Sequence, residues 1–272
     1  MELTGRWERP RNVAADRKGS IHDDEAARAL GFAGGWVSAR VHLNVFVPLL
    51  LEAFGRRWFE LGALSLDFRT ATLDREEVRA VLTCADAGAS RADARLEQRD
   101  GAHVAIGDAS VDAPAEPSYL ATKDLRGRDD GPYQLIANVS PGDRFPPREI
   151  VLREATAERM IGGVGHEWYL NDSPWGAPIA SPSLMVNALG AACGSYLREH
   201  RIGGVFIDGG TEIRNINGPV LLDTSYVCGG RILARGRSPR TEYFWYESWL
   251  DDDSGRRIAE MLLQWRCMRP PR

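Results

Sequence analysis

Cysteine is scarce in this chain. Cys84, Cys193, Cys228 and Cys267 are the only four in 272 residues, scattered with no Cys-x-x-Cys pair and no histidine at metal-ligand spacing beside them. That spacing argues against a disulfide framework and a structural zinc site, so reduced, buried thiols are expected. Long apolar runs are also missing: no stretch approaches the roughly 18 residues that a membrane span needs. No N-terminal run joins basic residues to an apolar core as a secretory leader does. A cytoplasmic protein without a membrane partner is the expectation. Neither sign of charge prevails, because 34 basic and 38 acidic residues are mixed along the chain. No face is thereby committed to a polyanion, and nucleic acid drops out as a partner. No metal and no cofactor are expected, and homo-oligomer formation stays open.

What is present is repetition. The segment "GRRWFELGALSLDFRTATLDREEVRAVLTC" (55–84) has a late counterpart in "GGVFIDGGTEIRNINGPVLLDTSYVCGGRILA" (203–234); each reads as a small-residue turn, a strand, a polar kink and a second strand. "RLEQRDGAHVAIGDASV" (95–111) and "ESWLDDDSGRRIAEMLLQW" (247–265) both read as hairpins with Asp-Gly or Ser-Gly at the turn. One apolar helix precedes the strands of each copy. "VHLNVFVPLLLEAFG" runs to a glycine stop at Gly55, and "SPSLMVNALGAACGSYLREH" begins with the capping sequence Ser181-Pro182-Ser183 and ends in basic residues. Both are too apolar around their circumference for a surface helix. A long buried helix wrapped by a curved antiparallel sheet, made twice, explains the pattern and gives an α+β fold. The Pro/Gly-rich, mixed-charge stretch 112–147 reads as the linker between copies, which divides the chain into repeats 1–130 and 131–272.

These residues resemble the MaoC-like double hot-dog proteins, which include R-specific enoyl thioester hydratases and dehydratases. In that family a loop of the form Asp-x-Asn-Pro-x-His is followed by an acidic residue, a short Ala-rich helix, a Gly-Phe step and a glycine-containing start to the buried helix. Here "IHDDEAARALGF" is similar from His22 through Gly31 and Phe32, and "GGWVSA" looks like the helix start. "PGDRFPPREIVLREATAERMIGGVG" and "SPWGAPIASPSLM" are similar to the corresponding parts of a second domain. The resemblance implies a double hot-dog fold over nearly the whole chain, and hydration or dehydration of an acyl thioester. Counting back from His22, the family's catalytic Asp falls on Arg17, Gly19 and Ser20 replace the Asn-Pro pair, and Asp16 is one residue out of register. In the second copy the Asp position is His166 and the His position falls near Asn171. Neither copy carries the complete pair.

The chemistry needs a group to activate water, a proton for the α-carbon and donors for the thioester oxygen. His22 is the leading base, because a neutral imidazole titrates near working pH. Asp16, or else Asp23 or Asp24, is placed to complement it, and His166 with Asp172 is the candidate replacement partner from the second copy. Backbone amides near Gly34, Gly35, Trp36 and Val37, and near Gly176 at the second helix start, are candidate oxyanion donors. Arg40, Tyr169, Asn171 and Trp175 complete the candidate substrate-binding set. Each has a structural alternative: His22 as a loop residue, the aspartates as helix caps, the glycines as close-packing positions, and the polar run "GHEWYLNDSPWG" as turn chemistry. Three functions follow: a hydratase or dehydratase (a lyase) acting on a small-molecule thioester of coenzyme A or a carrier protein, or on a comparable activated carbonyl compound; a hot-dog thioesterase using a carboxylate such as Glu52 or Asp67; or a non-catalytic ligand-binding pseudo-dimer. The pocket is expected between the copies, bordered by residues 34–40 and 175–183.

Overall fold

A computed structural model describes residues 1–112, 116–125 and 132–269. In chain order, β1 (Glu2–Thr4) leads through a long loop to α1 (Asp24–Ala29), and the first central helix follows in pieces, α2 (Ala39–His42), α3 (Val47–Phe54) and α4 (Trp58–Leu61). Strands β2 (Gly62–Phe68), β3 (Val78–Cys84), β4 (Arg91–Gln98) and β5 (His103–Val111) complete the first group. The second group repeats the order: β6 (Arg144–Val151), α5 (Glu154–Ile161), the central helix as α6 (Pro182–Leu189) and α7 (Ala191–Glu199), then β7 (Phe206–Asn215), β8 (Ser225–Arg237), β9 (Thr241–Asp251) and β10 (Arg257–Met268).

All ten strands form one antiparallel sheet in the order β1-β3-β4-β5-β2-β7-β10-β9-β8-β6. Read outward from the β2–β7 seam, the two halves present corresponding strands in the same sequence. A pseudo-twofold axis therefore passes through the seam, where Leu64 faces Ile213 and Leu66 faces Thr211. This is the double hot-dog architecture. The expected hairpins are β4–β5 and β9–β10, with Gly101 and Gly255 at positive φ in their turns. The expected division between residues 130 and 131 lies outside the described residues.

The central helices are less continuous than four unbroken turns each. The first passes through a 3₁₀ turn at Leu43–Phe46 and has Pro48 at its restart, and the second is jointed at Gly190. Proline lacks the donor and crowds the preceding turn, which accounts for the first break. Both helices are nonetheless buried, with Leu43, Phe46, Leu50, Leu184, Met185 and Leu189 at 4% exposure or less. A polar clasp joins them: the Asn44 amide nitrogen donates to Ser183 Oγ at 3.0 Å, and the Ser183 amide donates to Asn44 Oδ1 at 3.1 Å. Ser183 Oγ in turn donates to the Met160 carbonyl at 2.6 Å. Paired in this way, buried polar groups fix how two helices meet without the penalty of an unmet donor. No described helix is long and apolar enough to cross a membrane, and all four cysteines are free and buried.

Candidate active site

The loop ahead of the first central helix is tied down before it reaches any ligand. Asp23 caps α1, its carboxylate accepting from the amides of Gly19 and Glu25, and Asp24 accepts the Gly35 amide at 2.8 Å while pairing with Arg28. Both acids therefore anchor the loop, and their carboxyls sit below the usual range chiefly because backbone donors hold the charged form. Gly35 is packed so closely that a Cβ there would lie 2.2 Å from the His22 carbonyl oxygen. The same carbonyl accepts from the Asn12 side chain at 2.8 Å. Gly35 is thus a spacer that seats the His22 loop.

His22 lies against a large cavity of about 1030 Å³ and also a smaller one of about 330 Å³; Arg17, Arg40 and Asn187 border both as well. Its Nδ1 is 2.8 Å from the Trp36 carbonyl oxygen. A carbonyl can only accept, so Nδ1 carries the hydrogen and Nε2 holds the lone pair. Burial lowers the His22 pKa below its ordinary value, against the raising influence of the Trp36 hydrogen bond and of the Asp208 charge. The ring is accordingly neutral at pH 7, with its basic nitrogen identified.

Asp208 is the carboxylate that sequence reading missed. It projects from β7 of the second repeat into the large cavity, its side chain 8% exposed. The Trp265 indole donates to one of its oxygens at 2.6 Å, and Arg40 stands 3.9 Å from the other. Arg40 Nε and the Tyr246 hydroxyl are buried at this cavity without a hydrogen-bond partner among the described residues. Asn187 is the sole exposed residue of α6. A polar side chain in the middle of an apolar buried helix was the one available sequence signal for it; Asp208, Tyr246 and Trp265 sit in ordinary strand patterns and gave none.

The remaining candidates are distributed as follows. Trp36, Val37 and Arg40 line the large cavity, and Asp16 lines the small one. The amides of Gly35, Trp36 and Val37 are already spent on Asp24, Ile21 and Thr72, and Gly34 borders neither cavity. Ala39 and Arg40, whose first-turn amides have no carbonyl one turn back to meet, both line the large cavity. At the second helix start Gly176 donates to Ser173, Ile179 to Trp168 and Leu184 to the Ser181 cap, which leaves that start closed. His166, Tyr169, Asn171, Asp172, Trp175 and Gly176 border neither cavity. His166 Nδ1 accepts from the Trp168 amide, Asn171 caps the Glu167 carbonyl, and Trp175 packs on Phe59 while donating to Glu60 at 3.0 Å. The physical reason is packing: Trp168 and Trp175 meet Phe59 of α4 edge to face and Tyr169 is buried, which seats this loop away from both cavities. The cavity's second wall is therefore Val186–Arg198 rather than residues 175–183. Of the thioesterase candidates, Asp67 reaches the cavity but is held by Arg69 and Lys123, and Glu52 is exposed on α3 and borders neither cavity.

No family model matches the sequence, and no curated protein matches it either. Among solved structures, the fold is similar to a MaoC domain protein from Chloroflexus aurantiacus, with TM-score 0.63 and 10% identity, covering 100% of this chain and 95% of that one. It is also similar to a conserved hypothetical protein from Mycobacterium tuberculosis with a double hot-dog fold, at TM-score 0.59 and 11% identity over 98% and 95% of the two chains. A MaoC-like dehydratase aligns at TM-score 0.51 and 13% identity over 98% of each chain. These likenesses establish the double hot-dog fold of MaoC-like structures over the whole chain.

Proposed function

We propose that this chain is a lyase that adds water to, or removes it from, an unsaturated or 3-hydroxy acyl thioester, with His22 as the base. The observation that carries the reading is the Trp36 carbonyl, which fixes the neutral His22 tautomer so that Nε2 is the free acceptor. In hydration, Nε2 takes a proton from water as the water oxygen bonds to the β-carbon and the double-bond electrons move toward the thioester oxygen. Amides of Ala39 and Arg40 stabilise that oxygen. The imidazolium then returns its proton to the α-carbon, so that one hydrogen and one hydroxyl have been added and His22 is neutral again. Asp208 stabilises the imidazolium in between, in place of the carboxylate that Arg17 replaces. Arg148 and Arg198 both donate to Ser195 Oγ and meet no carboxylate among the described residues, which suits the phosphates of a coenzyme A or carrier-protein thioester.

The test follows loss of conjugated enoyl absorbance and release of free thiol on the same enoyl and 3-hydroxyacyl thioesters. His22→Gln lowers turnover at least about a hundredfold, since an amide cannot carry the proton. The acid limb of kcat/KM lies below the ordinary histidine value, and Asp208→Asn moves it further down by removing a charge that raises the His22 pKa. Thiol release without loss of the double bond would make the chain a thioesterase. Tight thioester binding with neither reaction would make it a binding protein.

A further inference from the structure

The small cavity behind His22 has a composition that the chemistry at His22 does not call for. Val13, Ala14 and Met160 give its lining an apolar part, but Arg17, Arg40 and Arg159 border it against a single acid, Asp16. The chain as a whole is acidic, with a formal charge of −4, and many of its arginines are spent on carboxylates, as Arg9, Arg57, Arg79 and Arg257 show. Arg17 and Arg159 have no ion pair among the described residues; Arg40 stands 3.9 Å from Asp208 on the side of the large cavity but keeps a buried Nε without a partner. Three cations converging on one partly apolar recess make it a place for an anion. Arg17 also stands where the resemblance puts an acid, so the charge beside His22 is reversed in this chain.

Because His22, Arg40 and Asn187 border both cavities, a ligand whose reactive carbons sit at His22 has one arm in each. The large cavity has the volume for the thioester arm. The small one, at about 330 Å³, has room for roughly ten groups the size of a water molecule, enough for a short chain with a polar end. We propose that the acyl group ends in a carboxylate, bound in the small cavity by Arg17 and Arg159 with Arg40, so that the substrate is the monothioester of a short dicarboxylic acid. This rests on the thioester reading of the His22 site and narrows it.

The experiment measures binding by calorimetry of two saturated coenzyme A thioesters of equal chain length, pentanoyl and glutaryl, neither of which can be hydrated or dehydrated. The glutaryl compound binds at least about tenfold tighter to the wild-type chain, as a charge-assisted pair in a recess allows. Arg159→Gln and Arg17→Gln change exposed residues, so the fold is retained; each lowers that ratio severalfold, and the double variant brings it close to one. Equal or tighter binding of the pentanoyl compound by the wild type overturns the carboxylate inference and leaves the thioester reading standing. An unchanged ratio in the double variant overturns the assignment of the small cavity. Failure of both compounds to bind sinks the thioester reading and this inference with it.

Discussion

Replacing Gly35 with alanine puts a single methyl group where the structure has no room, and the consequences divide into a fold effect and a site effect. The added Cβ lies 2.2 Å from the His22 carbonyl oxygen, more than about 1 Å inside a comfortable nonbonded contact, and 3.2 Å from the Asn12 side-chain nitrogen. The obstacle is backbone, so it cannot swing aside as a flexible side chain would. Gly35 has no positive φ, and the cost is therefore steric alone. Forcing an extra carbon into a packed site costs about 1–3 kcal/mol, which for a chain of this size lowers the melting temperature by roughly 5 °C. The site effect is larger. Relief of the overlap displaces the His22 backbone by about 1 Å, a misplacement that costs on the order of a hundredfold in turnover. Gly34→Ala is the control, since its Cβ would meet the ends of side chains, Asp24 Oδ1 at 3.3 Å, Leu73 Cδ2 at 3.8 Å and Arg28 Nη2 at 4.0 Å, and no backbone. The assay pairs thermal denaturation with thioester turnover and with nitrogen chemical shifts of the His22 ring, which report the tautomer. A Gly35→Ala protein that melts normally and keeps its turnover and its Nδ1–H form would refute the claim that this glycine seats the base.

Two further expectations concern the buried polar groups. His42 is fully enclosed, with Nε2 2.8 Å from Thr72 Oγ1, and burial lowers its pKa to about 4. The unfolded chain then binds more protons than the folded one between the ordinary histidine value of about 6.5 and pH 4, so stability falls as pH falls through that window and levels off below it. Urea unfolding as a function of pH reads this slope, which His42→Gln reduces; an equal slope in that variant assigns it to other groups. Asn44→Leu leaves the Ser183 amide and the neighbouring carbonyls without their partner, at about 1–3 kcal/mol for each donor left unmet. Denaturant titration shows a loss of about 2 kcal/mol or more, and an unchanged midpoint would mean that water replaces the clasp.

Sequence alone determined the repeat, the central helices and the loop that carries His22, because each is written in local periodicity. Alternating strands around Gly101 and Gly255, a glycine stop at Gly55 and an Ala-rich helix behind Asp23 all depend on neighbours in the chain. The continuity of those helices was overestimated, since a 3₁₀ turn and Pro48 break the first. Site residues beyond the loop were decided by the tertiary structure. Asp208 lies far along the chain from His22 and becomes its neighbour because the pseudo-twofold axis pairs β7 with β2 and turns one residue of the second repeat into the first repeat's cavity. The polar run from His166 to Asp172 had the right residue types for a partner, yet Trp168 and Trp175 pack on Phe59 and the run borders neither cavity, with Asn171 and Asp172 exposed. The amides of Gly35, Trp36 and Val37 were likewise taken by Asp24, Ile21 and Thr72, partners that no local pattern announces. Local pattern specifies which elements form; which side chains share a cavity depends on packing between distant segments, and that is settled only when the two repeats close on one another.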